Sequence, residues 1–339
     1  MSNPNTMIND LVAEVSSVAV GDRQDLFVAA AGVVLGEVVM YEGPYGTGKT
    51  WTSKALADAT EGTFGRVQGT ADLLPADITG TDVFDRRTDD YVAKYGAIFK
   101  NVVLIDEIGR IPAKTQSGTL EAFGERQVTF PHTGTHRLPE GSSAFLTYNP
   151  QTDIADSFAV SAESNDIEGA LLNRVFASIR SGLTPSQKRE ATRLALDGGR
   201  KAQPVVSQAQ LIQIRSAIDA ITIDSDMLDV ITDVPKQILE HGKVDPYATG
   251  RQIRAGARDT IALGRLARFF TAVRGQKLMD VDDIKRAAPY VYAHMTTMNE
   301  VGVAKKIGAR QAIREAVGNV GPIDEVAAKA AEIDAKEAA

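Results

Sequence analysis

The chain has 339 residues, 43% of them hydrophobic, and a net charge of −7. That length supports buried cores in two domains, and the absence of cysteine excludes disulfides, thiolate catalysis and Cys-type zinc sites. The acidic balance argues against duplex nucleic acid as the main partner.

No apolar run approaches the roughly 20 residues that span a bilayer. The most apolar stretch, Leu26 to Met40, is broken by Gly32, Gly36 and Glu37. The first residues lack the basic start and apolar run of a signal peptide. The expectation is therefore a cytoplasmic protein without membrane insertion.

The first chemically informative element is the short apolar run Val38-Val39-Met40, read as a strand. It leads into Gly43-Pro44-Tyr45-Gly46-Thr47-Gly48-Lys49-Thr50, which fits the phosphate-binding pattern G-x-x-x-x-G-K-[ST]. A helix-compatible stretch, Trp51 to Thr60, follows. Glycines let the backbone curl so that successive N–H groups face phosphate oxygens, and the helix start adds positive potential. Lys49 is placed to reach the β- and γ-phosphates and Thr50 to hold Mg²⁺. ATP and Mg²⁺ are the expected cofactors, with Gly43, Pro44, Tyr45, Gly46, Thr47, Gly48, Lys49 and Thr50 as nucleotide-binding residues.

Asp85 to Asp90 is a polar turn between Val83-Phe84 and Tyr91-Val92, the pattern of a hairpin. Asn101 to Ile105 is a nearly continuous apolar run, as in a parallel strand buried on both faces. Asp106 and Glu107 follow at its C-terminal end, where ligands bind in open α/β sheets. Asp106 suits the Mg²⁺ shell, together with Thr50, and Glu107 suits the acceptance of a proton from an attacking water. Thr133-Gly134 turns between Val128-Thr129-Phe130 and the approach to Leu138. His132 and His136 flank that turn, so their spacing does not read as a helical metal site. Ala144 to Tyr148 reads as another strand, ending in Asn149-Pro150. Asn149 either positions the lytic water or caps a turn before proline.

Ala177 to Ile179 is the last strand candidate, and from Thr184 the pattern turns helical. Thr184-Pro185-Ser186-Gln187 offers an N-cap, Pro at the first helical position and Gln at the capping-box position. Further starts fall at Ser207 to Gln210 and Asp280 to Asp283, with helices expected over Ser225 to Glu240 and Thr249 to Val273. On the last, Arg251, Arg254, Arg258 and Arg265 are expected to share one face. The tail from Ile323 is rich in Ala, Glu, Asp and Lys.

Taken together, these residues resemble the AAA+ superfamily, and within it the MoxR group. The narrower likeness lies in Asp72-Leu73-Leu74-Pro75-Ala76-Asp77-Ile78-Thr79-Gly80, Gly96-Ala97-Ile98-Phe99, the run from Asp106 to Ser117, Glu125-Arg126-Gln127-Val128-Thr129 and Tyr148-Asn149-Pro150. The resemblance covers roughly residues 10 to 295. It implies an α/β P-loop core with a five-stranded parallel sheet over residues 1–183 and a helical lid over 184–316; the composition then marks an acidic, Ala-rich tail over 317–339. It also implies two hairpin insertions, over Val83 to Phe99 and Gln127 to Leu138, and a hinge at Leu183 to Pro185.

Carried over residue by residue, Asn149 matches sensor 1, Arg174 the arginine finger that acts on a neighbouring subunit's nucleotide, and Arg251 sensor 2, with Arg258 in reserve. Gln68 matches a polar switch residue that contacts the catalytic carboxylate. The resemblance further implies a homo-oligomeric ring, a hexamer, that remodels a client protein or assists metal-cofactor insertion beside a von Willebrand factor A domain protein. Departures are Gly109 where the family has Asn, Asn173 in place of Asp, and added length around Ser161 to Asp166. Two rival readings are a nucleic-acid motor gripping with the second hairpin and a nucleotide-gated assembly scaffold. The intact set of Lys49, Asp106 and Glu107 argues against the scaffold.

Overall fold

A computed structural model describes residues 3–149, 167, 169–253 and 257–318. These divide into two compact units, the first running to Arg215 and the second from Ser216 onward.

The first unit opens with helices α1 (Pro4–Val18) and α2 (Arg23–Leu35). Asp22 caps α2 through the Gln24 N–H, and Gly36, in the left-handed region, ends it, the usual pair of helix boundary devices. Strand β1 (Val38–Glu42) follows, then the P-loop and α3 (Lys49–Ala59). The chain continues through β2 (Phe64–Gln68), α4 (Pro75–Thr79), β3 (Gly80–Asp85), β4 (Asp90–Tyr95) and β5 (Val102–Asp106). After α5 (Ala113–Gly118) and α6 (Leu120–Glu125) come β6 (Gln127–Phe130), β7 (Gly134–Arg137) and β8 (Ser143–Tyr148). A short α7 (Gly169–Leu172), β9 (Ala177–Arg180), α8 (Pro185–Leu196) and α9 (Gln208–Asp219) complete the set, the last running across the division between the units.

The central sheet has five strands in the order β2-β5-β8-β1-β9, and every neighbouring pair is parallel. Val38 to Tyr41 and Val102 to Ile105 are buried, as continuous apolar strands covered on both faces must be. The β5 side packs against Ile78, Ile98, Ile108, Ile111 and Phe123. The expected five-stranded parallel sheet is therefore present; β1, β5, β8 and β9 lie within a residue or two of their expected bounds, and β2, for which the motifs set no bounds, completes it.

The two hairpins are β3–β4 and β6–β7. The first begins at Gly80, earlier than the expected Val83, and Ala97–Phe99 is a separate 3-10 turn. The hairpins dock on one another. Asp82 accepts from the Thr133 hydroxyl and the His132 N–H, each at 2.6 Å, while the His132 ring stacks on Tyr91 with centroids 3.7 Å apart. His136 is held at both ring nitrogens, by Tyr95 and Thr133.

The second unit is helical: α10 (Ser225–Glu240), α11 (Pro246–Ile253), α12 (Arg258–Val273), α13 (Val281–Tyr292), α14 (Glu300–Ala304) and α15 (Ala309–Val317). Asp280 caps α13 in a capping box with Asp283. Asp283 is itself buried and accepts from Thr271 and Arg274, so the charge it brings into the core is paired. One expectation fails here. The helix expected over Thr249 to Val273 is two helices, the second starting at Arg258 after Ala257. Arg251 and Arg258 therefore lie on different helices and not on one continuous helix face. Arg265 is half-buried, and burial, with Arg268 nearby, lowers its guanidinium pKa. Arg254, the loop around Ser161 to Asp166 and the tail from Ile323 lie outside the described residues. No helix among those described is long and apolar enough to cross a membrane.

Candidate nucleotide site

The site is built at the C-terminal ends of β1, β5, β8 and β9. Gly43 leaves β1 with its N–H donating to the Tyr148 carbonyl at 3.0 Å. Its φ is +141°, and a β-carbon there would stand 2.1 Å from the Ser181 carbonyl oxygen, so no other residue fits between the ends of β8 and β9. The Thr47 and Ser181 hydroxyls are 2.6 Å apart, tying the middle of the loop to the segment after β9.

Lys49 opens α3 and is 8% exposed. Its Nζ donates to the Gly43 carbonyl at 2.5 Å, folding the side chain back across the loop. Burial lowers its pKa from the ordinary lysine value, and the charges of Asp106 and Glu107 oppose that shift. A cavity of about 430 Å³ surrounds this point, lined by Tyr45 to Trp51 together with Asp106, within the size range of small-molecule sites. Lys49, Thr50 and Asp106 thus face one space. A hydroxyl and a carboxylate are the hard oxygen donors that Mg²⁺ takes alongside phosphate, so these residues fit that ion.

The far end of the cavity is apolar, formed by Val18, Ala19, Val20, Leu183, Ala191, Leu194 and Ala195. The expected capping box of Thr184 and Gln187 is present at the start of α8. Its apolar residues Ala191, Leu194 and Ala195 recur at helical spacing, yet no residue of α8 is buried. The helix presents that stripe to the cavity. Trp51, the sole tryptophan of the chain, lies against Gly199 just beyond α8. Neither this apolar end nor Trp51 was singled out by the sequence motifs.

Asp106 and Glu107 stand together where β5 ends. Asp106 accepts from the Thr147 hydroxyl at 2.6 Å through Oδ1 and from Arg66 at 2.7 Å through Oδ2. The Glu107 N–H donates to the same Thr147 oxygen at 2.8 Å. Glu107 has left-handed backbone angles, φ 57° and ψ 54°, uncommon for a residue with a side chain, and its carboxylate pairs with Arg110 at 2.9 Å. Gln68 is opposite Asp106 in the β2–β5 register and accepts from Arg66 at 2.9 Å. Its observed partner is thus Arg66, which bridges it to Asp106. Thr147 and Arg66 carry no motif signal. Only the strand register brings them here.

The remaining site residues are more dispersed. Asn149 is half-buried just past β8. Arg174 follows α7 and donates to the carbonyls of Leu120 and Ala170 at 3.1 and 2.9 Å, lying across α6 at Gly124. Glu107, Asn149 and Arg174 do not line the cavity that Lys49, Thr50 and Asp106 share. Arg251 belongs to α11, and its side chain lies outside the described residues.

Residues 38–166 match the model of the ATPase family associated with various cellular activities (AAA). The uncharacterized protein YeaC of Bacillus subtilis is 27% identical, over 93% of this chain and 94% of its own length. Chaperone MoxR1 of Mycobacterium tuberculosis is 25% identical, over 91% of this chain and 80% of its length. The crystal structure of a candidate ATPase from Cytophaga hutchinsonii superposes with a TM-score of 0.78 at 26% identity, covering 94% of this chain and 96% of that one. The likeness runs well past the P-loop region into the helical unit, and the chain is similar to AAA+ ATPases of the MoxR group.

Proposed function

We propose that the chain binds ATP with Mg²⁺ in the P-loop cavity, hydrolyses it as a ring of like subunits, and spends the cycle on remodelling or activating a partner protein. The convergence of Lys49, Thr50 and Asp106 on one cavity with an apolar far end carries this reading. In it, the triphosphate lies on the N–H groups of Gly46 to Thr50 and the base lies between Val18–Val20 and the inner stripe of α8. Thr50 and Asp106 would hold the metal ion, which would supply charge neutralisation to the phosphates. Glu107 takes the proton of the attacking water, Asn149 orients that water, and Arg174 of the neighbouring subunit meets the charge developing on the γ-phosphoryl group. Arg251 reports nucleotide state from the helical unit.

The finer parts of the proposal come from likeness to the MoxR group: a hexamer, a von Willebrand factor A domain partner, a role in enzyme activation or metal-cofactor insertion, and a cytoplasmic location. A nucleic-acid motor is less well supported. Arg126, flanking the second hairpin, bonds the Ser142 carbonyl and faces Glu37 at 3.6 Å, and His132 and His136 are engaged with Tyr91 and Tyr95. Few cations are left on that hairpin to follow a phosphate backbone.

The testing experiment is purification of Glu107→Gln from native cells in ATP and Mg²⁺. It should yield ATP-loaded rings with one enriched protein partner that elutes on ADP exchange. Monomers without nucleotide, or rings that co-purify only with nucleic acid, would overturn it.

A further inference from the structure

The β5–β8 ladder ends at the pair Ile105 and Leu146. One step further, backbone pairing stops and the side chain of Thr147 takes over. Thr147 is 2% exposed and lies on β8 opposite Tyr41 of β1, so its backbone is fixed from the other side. Its hydroxyl has two partners. The Glu107 N–H has only a proton to give, so the hydroxyl oxygen must accept it, at 2.8 Å. The hydroxyl hydrogen is then free to donate, and the Asp106 carboxylate at 2.6 Å receives it. The polarity of this relay, Glu107 N–H to Thr147 O–H to Asp106 Oδ1, has a single sense.

We infer that Thr147 is a positioning residue that sets both acidic side chains of the site through one hydroxyl. This rests on the nucleotide-site reading above. The bond to Oδ1, with Arg66 on Oδ2, leaves Asp106 one orientation about its terminal torsion. The bond from the Glu107 N–H anchors a residue in the left-handed region, where few side-chain-bearing residues rest without local support. The neighbouring backbone is closely packed: a β-carbon on Gly69 would stand 2.4 Å from the Glu107 carbonyl oxygen. The Asp106–Glu107 peptide is held at both ends: its carbonyl, that of Asp106, accepts from the Gly69 N–H at 2.7 Å, and its N–H, that of Glu107, donates to the Thr147 hydroxyl. Because Thr147 and Asn149 occupy the same strand end, a shift of that end moves Asp106 and Glu107 with it.

Three variants separate the hydroxyl from the methyl. Thr147→Val keeps the shape and removes the hydroxyl, Thr147→Ser keeps the hydroxyl and removes the methyl, and Thr147→Ala removes both. Misplacement of a reacting group by about 1 Å can cost on the order of a hundredfold in rate. Thr147→Val should lower kcat by about tenfold or more, while Thr147→Ser stays within about threefold of the parent.

A second readout is binding. Calorimetry with ATP in EDTA should give the same affinity for Thr147→Val and the parent, whereas with ATP and Mg²⁺ the variant should bind several-fold more weakly, because Asp106 belongs to the metal shell. A merely structural residue would shift both affinities together and would not be rescued by serine. If Thr147→Val does not fold, serine and alanine, which share the lost methyl, still differ by the hydroxyl alone, and alanine must be about tenfold slower. Equal rates for valine and parent, for serine and valine, or for serine and alanine would overturn the inference. A parent chain that binds no ATP would overturn the site reading itself, and this inference with it.

Discussion

The Lys49 Nζ donates to the carbonyl of Gly43 across 2.5 Å, so the P-loop is closed on itself by the side chain that the motif assigns to phosphate. The tie joins the first residue after β1 to the first residue of α3. Because the amine is buried and held by one carbonyl, its removal takes away the loop's main positive charge without opening the sheet core. Lys49→Ala should keep its far-ultraviolet circular dichroism and lose measurable ATP binding by calorimetry. Unchanged ATP affinity would refute the P-loop assignment.

Two glycines of the same loop should respond differently to alanine. Gly43 (φ +141°) has the Ser181 carbonyl 2.1 Å from where a β-carbon would stand, whereas Gly46 (φ +75°) has nothing within 4 Å. Gly46→Ala meets only the left-handed backbone penalty, about 1–2 kcal/mol. Gly43→Ala must also push apart the ends of β8 and β9, and overpacking of this kind adds about 1–3 kcal/mol. Thermal melts should therefore rank parent, Gly46→Ala, then Gly43→Ala. Equal melting temperatures for the two variants would contradict the close approach to Ser181.

For Glu107, the backbone and side chain can be separated. The Glu107→Gln change is isosteric, leaves the N–H bond to Thr147 intact and weakens only the pair with Arg110. That pair is partly exposed on the Arg110 side, so its loss should change stability by no more than about 1 kcal/mol. The variant should bind ATP as the parent does and turn it over at least about a hundredfold more slowly, as removal of a general base does. A steady-state phosphate-release assay decides it. Normal turnover would move the base to another residue.

How far the sequence reaches can be seen by comparing Lys49 with Thr147. The P-loop, the β5 strand and the acidic pair are local patterns, in which a few consecutive residues state both the conformation and the chemistry, and the expected strands appear at those positions. The capping boxes at Thr184 and Asp280 are local too, and both are present. Thr147 and Arg66 act through register: each reaches Asp106 from a neighbouring strand far away in the chain, and no short window holds that pairing. The inner stripe of α8 looks like an ordinary amphipathic face until the cavity beside it is seen. The arginine stripe failed for the opposite reason. Helical spacing alone runs on from Arg251 to Arg265, whereas α11 ends at Ile253 and α12 begins anew at Arg258 after the bend at Ala257.

The arginine finger is the assignment that most needs a test, because Arg174 is occupied within its own subunit. Its Nε and NH1 donate to the carbonyls of Leu120 and Ala170, and it lies so near α6 that a β-carbon on Gly124 would come within 3.0 Å of it. Two roles are therefore open to measurement: a strut that joins α6 to α7, and a cation offered to the next subunit's γ-phosphate. Loss of two charge-assisted bonds to carbonyls should cost about 1.5–3 kcal/mol each at most, visible in a thermal melt of Arg174→Ala. Loss of a finger should cost on the order of 10³ or more in rate and leave ATP affinity nearly intact. Arg174→Lys helps to divide the two, since it keeps a cation but not the planar two-point contact. The decisive measurement is mixing. Arg174→Ala has an intact pocket and Lys49→Ala an intact finger, so each should be inactive alone, and co-assembled subunits should recover part of the activity. Recovery requires a finger acting between subunits. If Arg174→Ala rings form and hydrolyse ATP at the parent rate, and mixing with Lys49→Ala adds nothing, Arg174 is a strut and the search moves to Arg180, at the end of β9.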